Sequence, residues 1–265
     1  MAHRGALQPP AEIRRMFDRI ARRYDLMNRL MSLGRDVVWR RVAAQAALEH
    51  APAVVLDIAT GTGDLAFELV AQAARRVLAL DFSRAMLRIA SRKRAALRAW
   101  NVAFLCGDAM RLPFRDASVD ACTIGFGLRN LPDYEAAIRE FARVLRPGGR
   151  LVILETTPFT GPLAPFFRLY FDRLVPWIGG LVSGDRQAYS YLPRSTAAFP
   201  SAAELAALLR SAGFADVRYR TMMGGTVALH VAVRGAHLPD AVTAAESVPA
   251  SRERRQLGPG APQRA

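Results

Sequence analysis

Apolar positions change period along this chain, and the changes divide it into elements. From Glu12, Ile13, Phe17, Ile20, Tyr24 and Met27 recur at steps of three and four, which predicts an amphipathic helix. A turn near Ser32-Leu33-Gly34 and a second helix through Trp39 to about Leu48 follow. At Val54 the period is lost: VVLDI is a contiguous β-branched run of the kind a buried parallel strand uses. It breaks into Gly61-Thr62-Gly63, and Asp64 opens a helical segment. Arg76–Asp81 reads as a second strand, and Ser83 caps a helix over Arg84–Leu97 with Met86, Leu87 and Ala90 inward. Asn101–Leu105 and Val119–Ile124 are the third and fourth strands. A helix over Asp133–Arg146 stops at Pro147-Gly148-Gly149, and Arg150–Glu155 is the fifth strand. A helix near Ala202–Ala212 precedes strands near Asp216–Thr221 and Thr226–Val233, close enough to pair as a hairpin through Met223-Gly224-Gly225. Strands alternating with crossover helices predict an α/β fold, a doubly wound and mostly parallel sheet ending in an antiparallel strand.

The pattern also sets boundaries. Residues 1–10 and 235–265 lack periodicity and are expected to be disordered; 11–50 form N-terminal helices, and 51–234 the main domain. Within it lies an insert, 158–199, where Phe166, Phe167, Tyr170, Phe171, Trp177 and Ile178 crowd together. This aromatic segment reads as a cover helix, as the wall of an apolar tunnel, or as a membrane contact.

Composition adds a bias of charge. The chain has 265 residues, 51% of them hydrophobic, and a formal net charge of +14. Lys93 is the only lysine among 37 basic residues, so arginine excess reflects either coding bias or attraction to a polyanion. With no nucleic-acid module in the sequence, an anionic lipid surface ranks above nucleic acid. Arg14, Arg15, Arg22, Arg23, Arg40 and Arg41 fall on the polar faces of the N-terminal helices, where a solvated face is the plain reading and acidic headgroups the sharper one. Cys106 and Cys122 in strands, without a secretory signal, suggest a reduced, cytoplasmic protein.

The glycine loop, Gly61-x-Gly63-x-x-Ala66, satisfies a loose dinucleotide fingerprint. A pyrophosphate, however, needs the helix N-terminus, where Asp64 stands above Asp57. Two carboxylates suit a ligand with an ammonium, a sulfonium and a ribose. Asp81 lies eighteen residues beyond Gly63, where an acid would hold ribose hydroxyls, and Asp108-Ala109 can bracket an adenine. S-adenosylmethionine therefore fits the strand ends better than NAD.

The segments FDRIARRYDLMNRLMSLG (17–34), VLDIATGTGD (55–64), LDFSRAML (80–87), GDAMRLPF (107–114), IGFGLRNLPD (124–133), RVLRPGGRLVILETT (143–157) and AYSYLPRSTAAFP (188–200) resemble the ubiquinone/menaquinone biosynthesis C-methyltransferase family, most of all its demethylmenaquinone branch. The resemblance implies a class I S-adenosylmethionine-dependent fold and cofactor contacts on Thr62, Asp81, Asp108 and Ala109. With the loop and strand ends, the expected cofactor set is Asp57, Thr60, Gly61, Thr62, Gly63, Asp81, Phe82, Met86, Asp108, Ala109 and Gly125. No metal is expected. The implied substrate is a polyprenyl demethylmenaquinol, with peripheral contact to an anionic membrane, no nucleic-acid partner, and a homo-oligomer left open. For the substrate phenol the candidates are Arg129 to hold a phenolate, Asn130 to orient it, and Tyr24; Tyr191 and His230 are secondary, His230 reading better as a core histidine. A ubiquinone-precursor benzoquinol, another small acceptor, a nucleic-acid-binding protein and a dehydrogenase are the rival readings.

Overall fold

The computed structural model describes residues 5–158 and 185–236, together with Leu169, Arg173 and Trp177. Its frame is a seven-stranded sheet: β1 (Val54–Ile58), β2 (Arg76–Asp81), β3 (Val102–Cys106), β4 (Val119–Gly125), β5 (Leu145–Thr156), β6 (Phe214–Met222) and β7 (Val227–Arg234), in the order β3-β2-β1-β4-β5-β7-β6. All neighbouring pairs are parallel except those of β7, which runs antiparallel to β5 and β6. The expected hairpin forms, turning at Met223–Gly225. The switch in strand order lies between β1 and β4, so their carboxyl ends border a crevice where such sheets bind ligands.

Alternation within each strand divides the core. Leu56, Ile58, Leu80, Cys122 and Ile124 face α6 (Tyr134–Val144) and α8 (Ala202–Ser211). Val55, Val77, Ala79, Ala121 and Val152 face α3 (Arg35–Leu48) and α4 (Asp64–Ala71). Contiguous apolar strands follow from burial on both faces. Ser83 caps α5 (Arg84–Leu97) by accepting from the Met86 N–H at 3.1 Å, and Asp133 caps α6 in the same way.

Three features differ from the sequence expectation. The first helix is broken: α1 (Pro10–Ile20) gives way to a 3-10 turn at Ala21–Arg23 before α2 (Tyr24–Met31). Its inner residues Ile13, Met16, Ile20 and Met27 pack on Ala188, Tyr189 and Tyr191 of α7 (Arg186–Ala198). Second, α6 ends at Val144, and β5 starts at Leu145 instead of Arg150. Val119 pairs with Leu145 while Ala121 pairs with Arg150, so Arg146–Gly149 bulge outward, helped by Gly148 at φ 76°. Third, Arg40 is buried, not solvated, because Asp36 one turn earlier provides its counter-charge. Of the expected disordered ends, 1–4 and 237–265 lie outside the described residues; the Ala6 N–H donates to Leu131 O at 2.8 Å. The aromatic segment Phe166–Ile178 also lies outside them, apart from Leu169, Arg173 and Trp177.

Candidate active site

The loop after β1 turns sharply at the crevice. Ala59, Gly61 and Gly63 are all left-handed, at φ 52°, 58° and 86°. A Cβ on Gly63 would stand 2.8 Å from the Phe67 ring, so both conformation and space call for glycine there. Asp81 braces the loop: it accepts from the Gly61 N–H at 2.7 Å and, through its other oxygen, from the Ser83 N–H at 2.8 Å. Burial pushes its carboxyl up to about 6, against the pull of those two amides.

Beside this brace opens a cavity of about 470 Å³. Gly61, Asp81, Phe82, Met86, Asp108, Ala109 and Gly125 of the expected set line it, joined by Tyr24 and Asn130. The helix α1 forms a further wall through Pro10, Ala11, Arg14 and Phe17. Asp108 is exposed at the rim, its carboxylate accepting from the Met110 N–H at 2.8 Å.

The other expected residues are elsewhere, and the two acids that disfavoured a pyrophosphate do not face this cavity. Asp57, 1% exposed, points into the sheet and accepts from the Thr60 and Thr123 hydroxyls at 2.5 and 2.7 Å. Burial lifts its carboxyl to about 6 despite those hydroxyls. Asp64 is neutralised by Lys93 at 2.6 Å and by Arg40 at 3.6 Å. Thr62 turns its hydroxyl away to donate to Asp25 at 2.5 Å, and Lys93 bridges Asp25 and Asp64. Asp57, Thr60, Thr62 and Asp64 border only a narrow crevice under the loop, and Gly63 acts through backbone shape.

A second, largely apolar cavity adjoins the first, and Phe17, Tyr24 and Phe126 line both. Its remaining wall comes from α2 and α3 (Asn28, Met31, Trp39, Arg40), from α7 (Tyr189, Tyr191, Leu192), and from Arg129 and Thr156. Arg129 is 8% exposed; its Nη1 donates to Glu155 Oε1 at 2.6 Å and to Phe126 O at 2.7 Å. Glu155, 0% exposed, also accepts from the backbone N–H groups of Arg129 and Thr156. Burial opposes the Arg129 charge, but Glu155 and Tyr24 hold its pKa above the ordinary arginine value. The Nε of Arg129 is buried without a partner among the described residues. Arg40 enters the same cavity, paired with Asp36 and lying 5.9 Å over the Phe126 ring. Burial alone would raise the Asp36 carboxyl; Arg40, Ser32 and Arg29 hold it below its ordinary value.

Asn130 lines the first cavity. Its Nδ2 donates to Phe126 O at 3.3 Å, and its buried Oδ1 has no partner among the described residues. His230 is a core histidine, as expected: Nε2 donates to Ala202 O at 2.8 Å, the ring stacks on Tyr219, and burial lowers its pKa.

The sequence profile of the ubiE/COQ5 methyltransferase family matches residues 8–234. The chain belongs to this family. Among its relatives, the demethylmenaquinone methyltransferase of Thermus thermophilus is 51% identical over 221 residues, covering 83% of this chain and 100% of that protein. Those of Deinococcus radiodurans and Mycolicibacterium vanbaalenii are each 48% identical, covering 83% and 85% of this chain and 91% and 96% of theirs. In fold, the chain is similar to the [4+2]-cyclase SpnF, with TM-score 0.65, 17% identity, and coverage of 89% of this chain and 99% of that one. It is also similar to an S-adenosylmethionine-dependent methyltransferase from Thermotoga maritima, with TM-score 0.58, 20% identity, and coverage of 83% and 99%. A member of the ubiE/COQ5 family is a methyltransferase, and the sheet is that of the class I S-adenosylmethionine-dependent enzymes. The first cavity fits that cofactor on its own chemistry. Asp81 offers a carboxylate at the end of β2, Phe82, Met86 and Ala109 an apolar slot, and Asn130 an unsatisfied buried acceptor.

Sequence reasoning missed Asp25, Asp36, Phe126 and Glu155. Glu155 alone carried a signal, as an acid at the carboxyl end of a buried strand. Phe126 could not be read, because nothing in Gly125-Phe126-Gly127 marks the left-handed φ of 56° that aims its carbonyl at Arg129.

Proposed function

We propose that the protein methylates a ring carbon of demethylmenaquinol to give menaquinol, with Arg129, Tyr24 and Asn130 as the residues that arrange the reaction. One observation carries this reading: a cavity edged by the strand-end acids Asp81 and Asp108 and suited to the cofactor adjoins a second cavity holding the buried Arg129, with Tyr24 lining both. The relatives' activity, named for demethylmenaquinone, supplies the acceptor.

When bound, S-adenosylmethionine supplies an electrophilic methyl group. The chain's task is to make a ring carbon nucleophilic and to hold it in line. A quinol carbon reacts once the neighbouring phenol has passed its proton to a water, and the ring C–H proton leaves to solvent after the transfer, so the site must favour a phenolate. Arg129 would do so through the charge of its guanidinium at the cavity wall, while Glu155 fixes that group and keeps it charged. Glu155 is itself saturated with donors, which leaves it a positioning role. Burial lifts the Tyr24 phenol above its ordinary value even against Asn28, Arg129 and Arg40, so Tyr24 stays protonated and donates. Asn130 lines the cofactor cavity, and its buried Oδ1 has no partner among the described residues. The largely apolar lining would favour a transfer in which phenolate and sulfonium charges cancel. Among the described residues no helix is long and apolar enough to cross a membrane; a polyprenyl quinol then calls for peripheral contact with one.

The test is Arg129→Ala with demethylmenaquinol and labelled cofactor. Turnover should fall at least a hundredfold, while S-adenosylhomocysteine affinity by calorimetry stays within about threefold of wild type. Wild-type turnover in the purified variant would overturn the assignment.

A further inference from the structure

We infer that the outer face of the α2–α3 hairpin docks on a bilayer carrying anionic headgroups. Four aliphatic side chains stand out on it: Leu26, Leu30, Leu33 and Val38, at 52%, 41%, 77% and 49% exposure. Leu26 and Leu30 share one edge of α2 at i, i+4, and Leu33 lies in the turn just past its end. Around them Arg22, Arg23, Arg29, Arg35 and Arg41 are exposed as well. Arg29 is paired with Asp36 at 3.1 Å and Arg41 with Glu68 at 3.5 Å, whereas Arg22, Arg23 and Arg35 have no ion pair among the described residues; Asp25, the other acid of this stretch, is held by Lys93 and Thr62.

Stability gives no reason for the leucine at the tip. The end of α2 is a Schellman motif, in which the Gly34 N–H donates to Arg29 O at 2.8 Å and the Leu33 N–H to Leu30 O at 3.3 Å. Leu33 therefore fills the left-handed position, at φ 52°, that favours glycine or asparagine, and its side chain packs on little of the protein. A second copy of the chain is a poor occupant, since it would set arginines against arginines. Anionic lipid matches both features: aliphatic tips for the acyl boundary and guanidiniums for phosphates. The hairpin's inner face, through Tyr24, Asn28, Met31, Trp39 and Arg40, lines the apolar cavity. Docking would thus bring that cavity beside the membrane; the surface itself stands on exposure and charge, and the proposed reaction only supplies its purpose.

The experiment is co-sedimentation of the full chain with phosphatidylglycerol and phosphatidylcholine vesicles. Binding to the anionic vesicles should exceed binding to the zwitterionic ones and weaken as salt rises. Leu33→Asn should lower the partition coefficient about tenfold, with an unchanged or higher thermal midpoint. Arg22→Gln combined with Arg23→Gln should also lower it about tenfold, and for the anionic vesicles only. Turnover of a tail-less demethylmenaquinol analogue should be the same in all variants. Equal binding to both vesicle types, wild-type partition of Leu33→Asn, or a dimer that dissociates on Leu33→Asn in light scattering would each overturn the inference. Wild-type protein that binds vesicles but leaves the tail-less quinol unmethylated would overturn the proposed reaction and uphold the docking surface.

Discussion

Burial decides what the two acids at the ends of β1 and β2 can do. Asp57 is raised to about 6, so the folded protein holds that proton more tightly than the unfolded chain. The stability it contributes is complete below about pH 4 and is lost as pH rises through about 6. Asp57→Asn should therefore flatten this limb, seen as a wild-type-minus-variant difference in urea midpoint that changes between pH 4 and 7. Asp81 is raised to a similar value but borders the cofactor cavity. Its charged form accepts hydroxyl donors better, so S-adenosylhomocysteine affinity should fall as pH drops through about 6, and Asp81→Asn should remove that dependence in calorimetric titrations. Glu155→Gln belongs at this scale too. It strands the Arg129 charge in the core, for an expected cost of about 3–5 kcal/mol in unfolding free energy, with turnover lost alongside.

Among the elements, the break at Ala21–Arg23 shows what local pattern conveys and where it stops. The steps from Ile13 to Met27 disclosed a helix with the correct buried face, since packing on α7 selects the same residues. They could not disclose the interruption, because alanine and arginine are good helix formers. Its cause is tertiary: Asp18 accepts from the Ser83 hydroxyl at 2.5 Å on one side of the break, and Asp25 reaches Thr62 and Lys93 on the other. The same limit explains Asp64. Its place at the start of α4 was legible, but Lys93, twenty-nine residues on, and Arg40 on another helix were not. Asp64 is thus no part of what suits the strand ends to S-adenosylmethionine; Asp81 and Asp108 border the cavity at the ends of β2 and β3. Asp25→Ala should loosen α2 from the glycine loop, lowering stability by about 1 kcal/mol and cofactor affinity several-fold, which thermal unfolding and calorimetry together would register.

For the molecule as a whole, the sheet is a scaffold that brings distant segments to one edge, and only its strand order had to be right for the cofactor cavity to be found. The apolar cavity required knowing that the N-terminal hairpin folds back over that edge, a long-range fact that no local period encodes. That folding-back has a kinetic consequence. Pro10, Ala11, Arg14 and Phe17 of α1 wall the cavity proposed for the cofactor. If release of the spent cofactor is gated by this wall, it breaks the hydrogen bond from the Ser83 hydroxyl to Asp18. Rapid mixing should accordingly show a burst of about one methyl transferred per enzyme before a slower steady phase, and Asp18→Ala should quicken the second phase without changing the first.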